Sequence, residues 1–413
     1  MPTPARHFGL SRLAVAAIAL ALIDGCGPTH TEAQVGNMPK SDLTTGKYGE
    51  PLPQLGASEL TSFVAGREAF ERRETIASGL GPVYNENFCS SCHDSPPAIG
   101  GTNQRLETRF GHRDPDGGFD TLASLGGPLV HDHGIGAVDG GYVFIGEVVP
   151  GEANVITARR TQPVFGLGLV DATPDAAFWA LAQIQAVSNP SAAGRAATVR
   201  DLATGGAAMG RFGWKASDPS LLQFASDAAL NEMGITNPQF PDEVCPQGDC
   251  AALAFNPDPA MNDPDGQDVA LFSDFMRFLG PPPAPQLDGG TARGSELFES
   301  VGCAVCHVPT LVTGPNVIPA LDEVAYHPYS DFLLHDMGTL GDGIDQGDAR
   351  GSEMRTQPLW GLSVQSELLH DGRATTVSAA IAAHDGQGAM ARNQFAALDE
   401  ADREALLAFL ATL

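Results

Sequence analysis

The sequence has few basic residues and lacks long apolar runs outside its N-terminus. Its 413 residues include 23 Lys and Arg against 50 Asp and Glu, which gives a net charge of −27. Such an acidic surface repels nucleic acid and anionic membranes, and it favours salt-sensitive association with basic partners. The same charge would also keep an exported protein soluble. We therefore expect no nucleic-acid partner, and no transmembrane helix after the N-terminal segment.

The rest of the composition is that of a globular protein with many loops. Hydrophobic residues make up 43% of the chain and charged residues 18%, so the chain is not expected to be disordered. The 48 glycines and 31 prolines predict numerous turns. A chain of this length can bury a substantial core and has room for two domains.

The N-terminus has the features of an export signal. Arg6 and Arg12 precede the apolar run of residues 13–23, which is too short for a permanent membrane helix. Asp24-Gly25-Cys26 follows, so residues 1–26 read as a lipoprotein signal with Cys26 acylated, or as an ordinary signal peptide cut nearby. We predict a protein of the periplasm, or one anchored peripherally to the outer membrane and facing the periplasm, with residues 27–57 as a flexible tether.

Four of the seven cysteines occur in two identical patterns, Cys89-Ser-Ser-Cys92-His93 and Cys303-Ala-Val-Cys306-His307. Two thiols about one helical turn apart can each add to a haem vinyl group, and the adjacent His then ligates the iron. A thioredoxin-like pair does not explain the His after both pairs, and a structural zinc site would need cysteine pairs closer in sequence. The sequence predicts two covalently bound c-type haems with His93 and His307 as proximal ligands.

The cysteines Cys245 and Cys250 flank a short Pro-Gln-Gly-Asp loop. In an oxidising compartment, two cysteines this close in sequence favour a small-loop disulfide. We predict that the pair is structural.

The chain contains an internal duplication on either side of a proline run, residues 281–285. Residues 66–71 (GREAFE) echo residues 294–299 (GSELFE), and residues 160–167 (RTQPVFGL) echo residues 355–362 (RTQPLWGL). Each half ends in an apolar-periodic segment that predicts a helix. Leu271, Phe275, Phe278 and Leu279 lie in the first; Leu406, Leu407, Leu410 and Leu413, with Asp399 as cap, lie in the second.

This duplication predicts a mainly α fold of two tandem cytochrome-c-like haem domains joined by long loops. The first would span residues 58–280, the proline-rich linker 281–288, and the second 289–413. Ser58 is the expected N-cap of the first helix. The first domain carries an insert at about residues 100–158, in which residues 140–149 predict a small β-hairpin.

Several longer sequence motifs resemble those of the bacterial di-haem oxidoreductase family, which includes di-haem peroxidases. They are CAVCHVPTL (303–311), YSDFLLHDMG (329–338), RTQPLWGL (355–362), LHDGRA (369–374), GRFGWKA (210–216) and NEMGIT (231–236). The resemblance covers roughly residues 59–413. More remotely, the chain is similar to bacterial cytochrome c peroxidases, to the enzyme that matures methylamine dehydrogenase and to di-haem rubber oxygenases.

The resemblance implies a distal ligand for the second haem. In those relatives it comes from a helix after the His-Asp-Gly loop, and here that helix runs from about Thr375 to His384. His384 is therefore the expected sixth ligand, with Met337 as the rival. The alternative is that His384 only caps the helix, where the helix dipole favours it. His370 is expected to orient the loop and the haem edge.

The first haem lacks an equivalent ligand when the two halves are aligned. The position that corresponds to His384 falls near Gln183 or Ile184. The iron opposite His93 is then open, or it is capped from elsewhere by one of the remaining candidates. These are His112, His131, His133, Met209 and Met233.

The expected activity is that of a peroxidase-type oxidoreductase. Hydrogen peroxide would react at the first haem, and the second haem would relay electrons from a donor such as a small basic cytochrome. Trp214 is either a bridge between the haems or a core residue packed on one of them. Heterolysis of the O–O bond needs a general acid–base and a positive group. The candidates are His131, His133, Glu147 and Arg160. The alternatives are an oxygenase or oxidase that uses dioxygen, or a non-catalytic electron carrier. Calcium between the domains is a further expectation from the peroxidase relatives.

Overall fold

The computed structural model describes residues 38–94 and 97–413. The predicted signal segment, including Cys26, lies outside the described residues. Within them the chain forms nine α-helices: α1 (Ala57–Glu71), α2 (Leu167–Asp171), α3 (Asp175–Ser188), α4 (Leu221–Met233), α5 (Gln267–Phe278), α6 (Ala292–Ser300), α7 (Val377–Ala383), α8 (Ala389–Ala397) and α9 (Glu400–Leu410). No helix of the described part is long and apolar enough to cross a membrane.

The strands are short and form small separate sheets. They are β1 (Ser41–Asp42), β2 (Val83–Tyr84), β3 (Leu106–Arg113), β4 (Phe119–Asp120), β5 (His133–Gly134), β6 (Gly136–Ala137), β7 (Val143–Phe144), β8 (Val155–Arg160), β9 (Ala197–Arg200), β10 (Ala207–Gly210), β11 (Leu311–Val312), β12 (Val324–Tyr326), β13 (Leu334–Asp336) and β14 (Glu353–Arg355). The largest sheet in the insert has the antiparallel order β4-β3-β8.

Two helix pairs cross closely at a glycine, and the first helix of each pair precedes a Cys-x-x-Cys-His turn. Helix α1 packs on α5 and α6 packs on α9. A side chain at Gly66 would collide with the carbonyl oxygen of Leu271, and one at Gly294 with the carbonyl oxygen of Ala405. Glycine therefore permits the close contact in both pairs. This explains why the duplicated segments GREAFE and GSELFE both begin with glycine.

The terminal helices of the two halves agree with the apolar periodicity. Helix α5 buries Phe275 and Phe278, and α9 buries Leu406 and Leu410. Asp399 is the N-cap of α9, because its carboxylate accepts a hydrogen bond from the Asp402 amide. These predictions are confirmed.

The helical fold with long loops is as predicted, but the details of the insert differ. The hairpin joins β6 to β7, so its first strand begins before residue 140, and residues 145–149 are not part of it. The pairing of β3 with β8 was not predicted, because the strands lie far apart in sequence. Ser58 is not the N-cap of the first helix. Gly56 holds that position without a side-chain cap, and Ser58 lies inside α1.

The second part of the predicted tether is packed against the rest of the protein. Strand β1 pairs in parallel with β12, Lys40 forms an ion pair with Asp322, and Leu52 is buried. Residues 40–52 therefore do not form a free tether, because these contacts fix them. Residues 27–37 lie outside the described part.

The main hydrophobic core includes residues from both sides of the proline run. Phe70, Phe178 and Phe275 pack in the same cluster as Tyr326 and Trp360. A smaller cluster at the C-terminal end is built around α6 and α9. The described residues belong to one compact unit. The division into two haem domains at residues 281–288 stays a prediction.

Candidate functional site

The first Cys-x-x-Cys-His sequence forms a tight turn that buries its imidazole. Residues 89–91 are a single 3₁₀ turn, and the His93 amide donates to the carbonyl of Cys89 at 3.1 Å. Burial raises the pKa of Cys89 to about 12 and that of Cys92 to about 11, while it lowers the pKa of His93 to about 4. The thiols are not bonded to each other. Such thiols are unlike those of redox-active Cys-x-x-Cys pairs, whose pKa values are depressed.

A large cavity opens beside this turn. Its volume is about 1280 Å³, including its open mouth, and Cys89, Cys92 and His93 are in its wall. Aromatic and thioether side chains form much of the remaining lining. They are Phe70, Phe88, Trp214, Phe224, Phe272, Met233 and Met276. A concave, predominantly apolar cavity with a few polar groups is typical of a cofactor site.

The second Cys-x-x-Cys-His sequence forms an equivalent turn. Residues 303–305 are again a 3₁₀ turn, and the His307 amide donates to the carbonyl of Cys303 at 2.9 Å. Nδ1 of His307 donates to the Tyr329 carbonyl at 3.0 Å, which leaves Nε2 of the ring available to a metal. Burial and the neighbouring His384 lower the pKa of His307 to about 4, so the imidazole is neutral.

His384 faces His307 from the end of α7. Thr376 is the N-cap of α7, because its hydroxyl accepts a hydrogen bond from the Ala379 amide, and His384 is the C-cap residue. Nδ1 of His384 donates to the Ala380 carbonyl at 2.8 Å, and burial lowers the pKa of the ring. Both rings of the pair are therefore neutral, and both hold Nδ1–H on a backbone carbonyl.

The spacing of this imidazole pair fits one metal ion between the rings. The ring centroids lie 6.5 Å apart. With metal–nitrogen bonds of about 2.0 Å, and ring centres about 1.1 Å beyond each nitrogen, an ion held by both rings requires about 6.2 Å. Met337 lies beside His384, because both side chains approach the same position above Gly388. The ring geometry favours His384 over Met337 as the partner of His307.

The residues at both turns fit a covalently held haem. Each turn brings two thiols and an imidazole together, and the first also adjoins the large apolar cavity. Nδ1 of His93 and Nε of Arg160 are buried without hydrogen-bond partners. Arg160 lies in the cavity wall, and its unpaired guanidinium N–H can donate a hydrogen bond to a haem propionate.

The predicted catalytic candidates, which are the four acid–base or charged groups and Trp214, divide into two groups. Arg160 and Trp214 line the cavity, whereas His131, His133 and Glu147 do not. His131 and Glu147 are buried and paired, because Nδ1 of His131 lies 2.6 Å from Glu147 Oε2, while Nε2 of His131 has no hydrogen-bond partner. His133 is exposed on β5. These three residues are outside the cavity wall, and their role as catalytic groups stays a prediction.

The five candidate distal ligands of the first haem do not all lie at the cavity. Met233 lines the cavity, but His112, His131, His133 and Met209 do not. His112 lies on β3 with its Nδ1 bonded to the Glu152 carbonyl, and Met209 is buried on β10. Among the described residues of the cavity wall, His93 is the single imidazole.

A cluster of charged residues in the cavity was missed by sequence reasoning. Glu107 and Arg109 project from the same face of β3, since residues two apart share a face, and they pair at 2.7 Å. Asp227 and Glu232 come from α4. Burial raises the pKa of Asp227 to about 6. Burial and Glu107 raise the pKa of Glu232 to about 8.

The pKa of Glu107 is shifted in the opposite direction to that of Glu232. Burial alone would raise its pKa, but Arg109 holds the pKa of the Glu107 carboxyl below its usual value. The two carboxyls share a hydrogen bond. Asn85 also donates to Glu232 Oε2 at 3.0 Å. The cavity therefore contains a neutral carboxylic acid beside a carboxylate and a guanidinium, which is a proton-transfer arrangement.

Trp214 connects the cavity to the second half of the chain. Its Nε1 donates to the Arg160 carbonyl at 2.8 Å, and its own carbonyl accepts from the Arg355 amide at 2.9 Å. Its ring lies 6.3 Å from the ring of His370, in an edge-to-face arrangement. His370 is buried, its Nε2 lacks a partner, and its carbonyl accepts from the Arg160 amide.

Two further predictions concern the disulfide and calcium. Cys245 and Cys250 are disulfide-bonded. In the described part of the chain, the metal-ligating side chains that converge are Cys306, Asp331 and His335. This group does not fit calcium, because calcium takes six to eight oxygen ligands, whereas this group offers one thiol, one imidazole and one carboxylate.

These features define a haem-binding redox protein. A family profile described as "Di-haem oxidoreductase, putative peroxidase" matches residues 151–413, which is more than half of the chain, so the protein belongs to this di-haem oxidoreductase family. It is an oxidoreductase whose specific reaction the family leaves open. No curated protein matches the sequence.

Solved structures show only weak likeness to this chain. The diheme peroxidase BthA from Burkholderia thailandensis E264 is 13% identical with a TM-score of 0.41, covering 92% of both chains. A MauG-like protein associated with microbial copper homeostasis is 16% identical with a TM-score of 0.37, covering 89% of this chain and 94% of its own. Hydrazine synthase of Kuenenia stuttgartiensis is 13% identical with a TM-score of 0.37, covering 94% of this chain and 100% of its own. Likeness at this level supports no further conclusion.

Proposed function

We propose that the protein is an exported di-haem c-type cytochrome that reduces hydrogen peroxide at its first haem, with electrons relayed through its second. The observation that carries the proposal is the difference between the two sites. The second turn faces the imidazole of His384. Among the described residues, the cavity beside the first turn has one imidazole, His93, with Met233 and the charged cluster of Glu107, Arg109, Asp227 and Glu232 also in its wall. A haem iron with two protein ligands is suited to electron transfer, whereas an iron with a free coordination position can bind a substrate.

The chain's own residues would hold both cofactors. The cysteines of the two turns would form the thioether links, His93 would ligate the first iron, and His307 with His384 the second. Arg160 would pair with a propionate at the first site. Haem iron supplies one-electron chemistry and a position for peroxide; the rest of the reaction depends on protons and on substrate placement.

The acid–base cluster supplies the protons that the reaction consumes. Reduction of one hydrogen peroxide to two waters takes two electrons and two protons. Glu232 is neutral near pH 7 and can donate a proton, while Glu107 stays ionised beside Arg109 and can accept one. Arg109 also places a positive charge where negative charge develops as the O–O bond breaks.

Trp214 connects the first cavity to the second half of the chain. It is part of the first cavity and touches His370 and Arg355 of the second half. A rigid aromatic ring held by hydrogen bonds at both its side chain and its backbone is suited to bridge two redox centres. We propose that electrons reach the first haem past this residue.

A small basic cytochrome is the proposed electron donor, and α3 is its proposed docking surface. Trp179, Ile184 and Val187 of this helix are exposed, at 43%, 41% and 86% of their area. On the opposite face of α3, Gln185 donates to the Val305 carbonyl at 2.7 Å, so the helix lies directly over the second haem-binding turn. An apolar surface on a protein of net charge −27 fits a basic partner with an apolar centre.

Export and the tandem organisation complete the proposal. The Cys245–Cys250 disulfide supports an oxidising compartment such as the periplasm. Whether Cys26 is acylated stays a prediction. The matching arrangements of α1 with α5 and of α6 with α9 support two cytochrome-c-like domains, at residues 58–280 and 289–413.

The purified protein tests this function directly. Denaturation should release no haem, and the intact mass should exceed that of the chain by two haems. Turnover of hydrogen peroxide with a reduced c-type cytochrome should be fast, and oxygen uptake with organic substrates should be absent. Oxygen uptake without peroxide turnover would instead indicate an oxygenase, and neither activity would indicate an electron carrier.

A further inference from the structure

Lys215 is fully buried, and its ammonium group is surrounded by oxygen atoms. Nζ donates to the carbonyls of Glu353 at 2.6 Å, Arg350 at 3.0 Å and Gly351 at 3.3 Å. The Asp342 carboxylate lies 2.8 Å away, and the side chains of Lys215 and Asp342 are both 0% exposed. Three carbonyls and one carboxylate therefore enclose the charge, and we call these four groups the oxygen cage.

The cage joins parts of the chain from both sides of the proline run. Lys215 precedes residues 281–285, whereas all four cage residues follow them. The other carboxylate oxygen of Asp342 lies 2.8 Å from Nε and 2.7 Å from Nη2 of Arg159. Arg159 lines the first cavity and also bonds Gln346 at 2.6 Å. The segment of residues 342–353 is thus fixed against the cavity wall through Lys215 and Arg159.

The cage has the chemistry of a cation site. Carbonyl and carboxylate oxygens are the ligands of hard metal ions, and rings of carbonyls replace the hydration shell of monovalent cations. Carbonyls that converge in the interior with nothing to bind would carry a desolvation penalty. The cage therefore requires a cation, and the Lys215 ammonium provides it from within the chain.

We propose that Lys215 is a tethered internal cation that occupies an interdomain cation site, so that the two halves assemble without a bound metal ion. On this proposal, the contact at residues 342–353 needs no calcium ion. A lysine cannot dissociate as a metal ion can, so the contact between the halves does not depend on the cation concentration of the medium. The proposal does not depend on which reaction the haems perform.

The test is to remove the side chain and supply the cation in solution. Lys215→Ala should lower the melting temperature of the holoprotein by roughly 5 °C or more, because it leaves Asp342 and the carbonyls without their partner. Propylammonium has the three carbons and the nitrogen that this substitution removes. It should raise the melting temperature of the variant in a saturable way. Tetramethylammonium and 1-propanol, which lack N–H donors or charge, should not.

Lys40→Ala is the matched control, because Lys40 also pairs with the second half, through Asp322, but at the surface. It should change the melting temperature little and show no rescue. If Lys215→Ala does not fold, Lys215→Met fills the same space without charge and should still be less stable than Lys40→Ala. The melting temperature of the wild type should not change with a chelator or with calcium.

Three results would overturn the proposal. One is a folded Lys215→Ala variant that propylammonium does not stabilise, or that propanol stabilises equally. Another is a Lys215→Met variant as stable as the wild type. The third is a wild-type melting temperature that falls on chelation and recovers with calcium.

Discussion

Replacement of Glu232 by Gln tests whether a neutral carboxylic acid drives catalysis in the first cavity. The substitution keeps the size and the hydrogen bond from Asn85, but it removes the transferable proton. Loss of a general acid typically costs about 10²- to 10⁴-fold in rate. We expect kcat/KM for hydrogen peroxide to fall within this range. The melting temperature at pH 7 should not fall and should rise, because the amide, unlike Glu232, needs no proton on folding.

The dependence of kcat/KM on pH gives a second expected change in rate. A pKa of about 8 leaves Glu232 about 90% protonated at pH 7 and about 10% at pH 9, so wild-type kcat/KM should fall about tenfold between these values. This alkaline fall should be absent from Glu232→Gln. Since the pKa of the folded state lies above that of the unfolded chain, the stability that Glu232 contributes is complete below about pH 4.5 and is lost as the pH rises through 8.

The assay is stopped-flow peroxide turnover with a reduced c-type cytochrome, from pH 5 to 10. Glu243→Gln is the matched control, because burial also raises the pKa of Glu243 to about 7, but Glu243 lies outside the cavity wall. It should leave kcat/KM unchanged. If Glu232→Gln retains wild-type kcat/KM and the alkaline fall, the assignment of Glu232 as the proton donor is refuted.

Three further variants test separate parts of the account. His384→Ala should convert the second ferric haem from low-spin to high-spin, and an unchanged resonance spectrum would remove His384 as the partner of His307. Trp214→Phe keeps an aromatic ring but loses the bond to the Arg160 carbonyl, so it should slow electron transfer between the haems in stopped-flow absorption; an unchanged rate would place the route elsewhere. Replacing Cys245 and Cys250 with Ser should lower the free energy of unfolding by about 2 kcal/mol for so short a loop, as measured by denaturant titration, and an unchanged value would contradict a structural role.

The parts of the site that the sequence predicted are those with local signals. The two Cys-x-x-Cys-His turns and the terminal helices follow from spacing and periodicity over a few residues. The helix before His384 was expected from the family resemblance to start near Thr375, and the structure caps it at Thr376. The placement of His384 opposite His307 came from the family resemblance, and the ring geometry agrees with it.

The acid–base residues could not be predicted, because their chemistry comes from burial and from distant neighbours. Glu107 lies on β3 and Glu232 on α4, and only the folded chain brings them together. Sequence reasoning instead selected His131 and Glu147 for their residue types. These two bond each other in the interior and do not reach the cavity.

Lys215 shows the same limit. In the sequence it is one basic residue in the segment GRFGWKA, with no sign that three carbonyls would surround it. The backbone turn of residues 350–353 creates that environment, and the turn lies far along the chain. Long-range contacts of this kind have no local sequence pattern.

The electron paramagnetic resonance spectrum of the ferric wild-type protein tests the central claim most directly. The account predicts two signals of equal weight. One is low-spin, from the haem between His307 and His384, and the other is high-spin, from the haem that His93 holds at the first cavity. Cyanide should convert the high-spin signal and leave the other unchanged. Two low-spin signals that do not respond to cyanide would contradict the account, since neither site would then be open to peroxide.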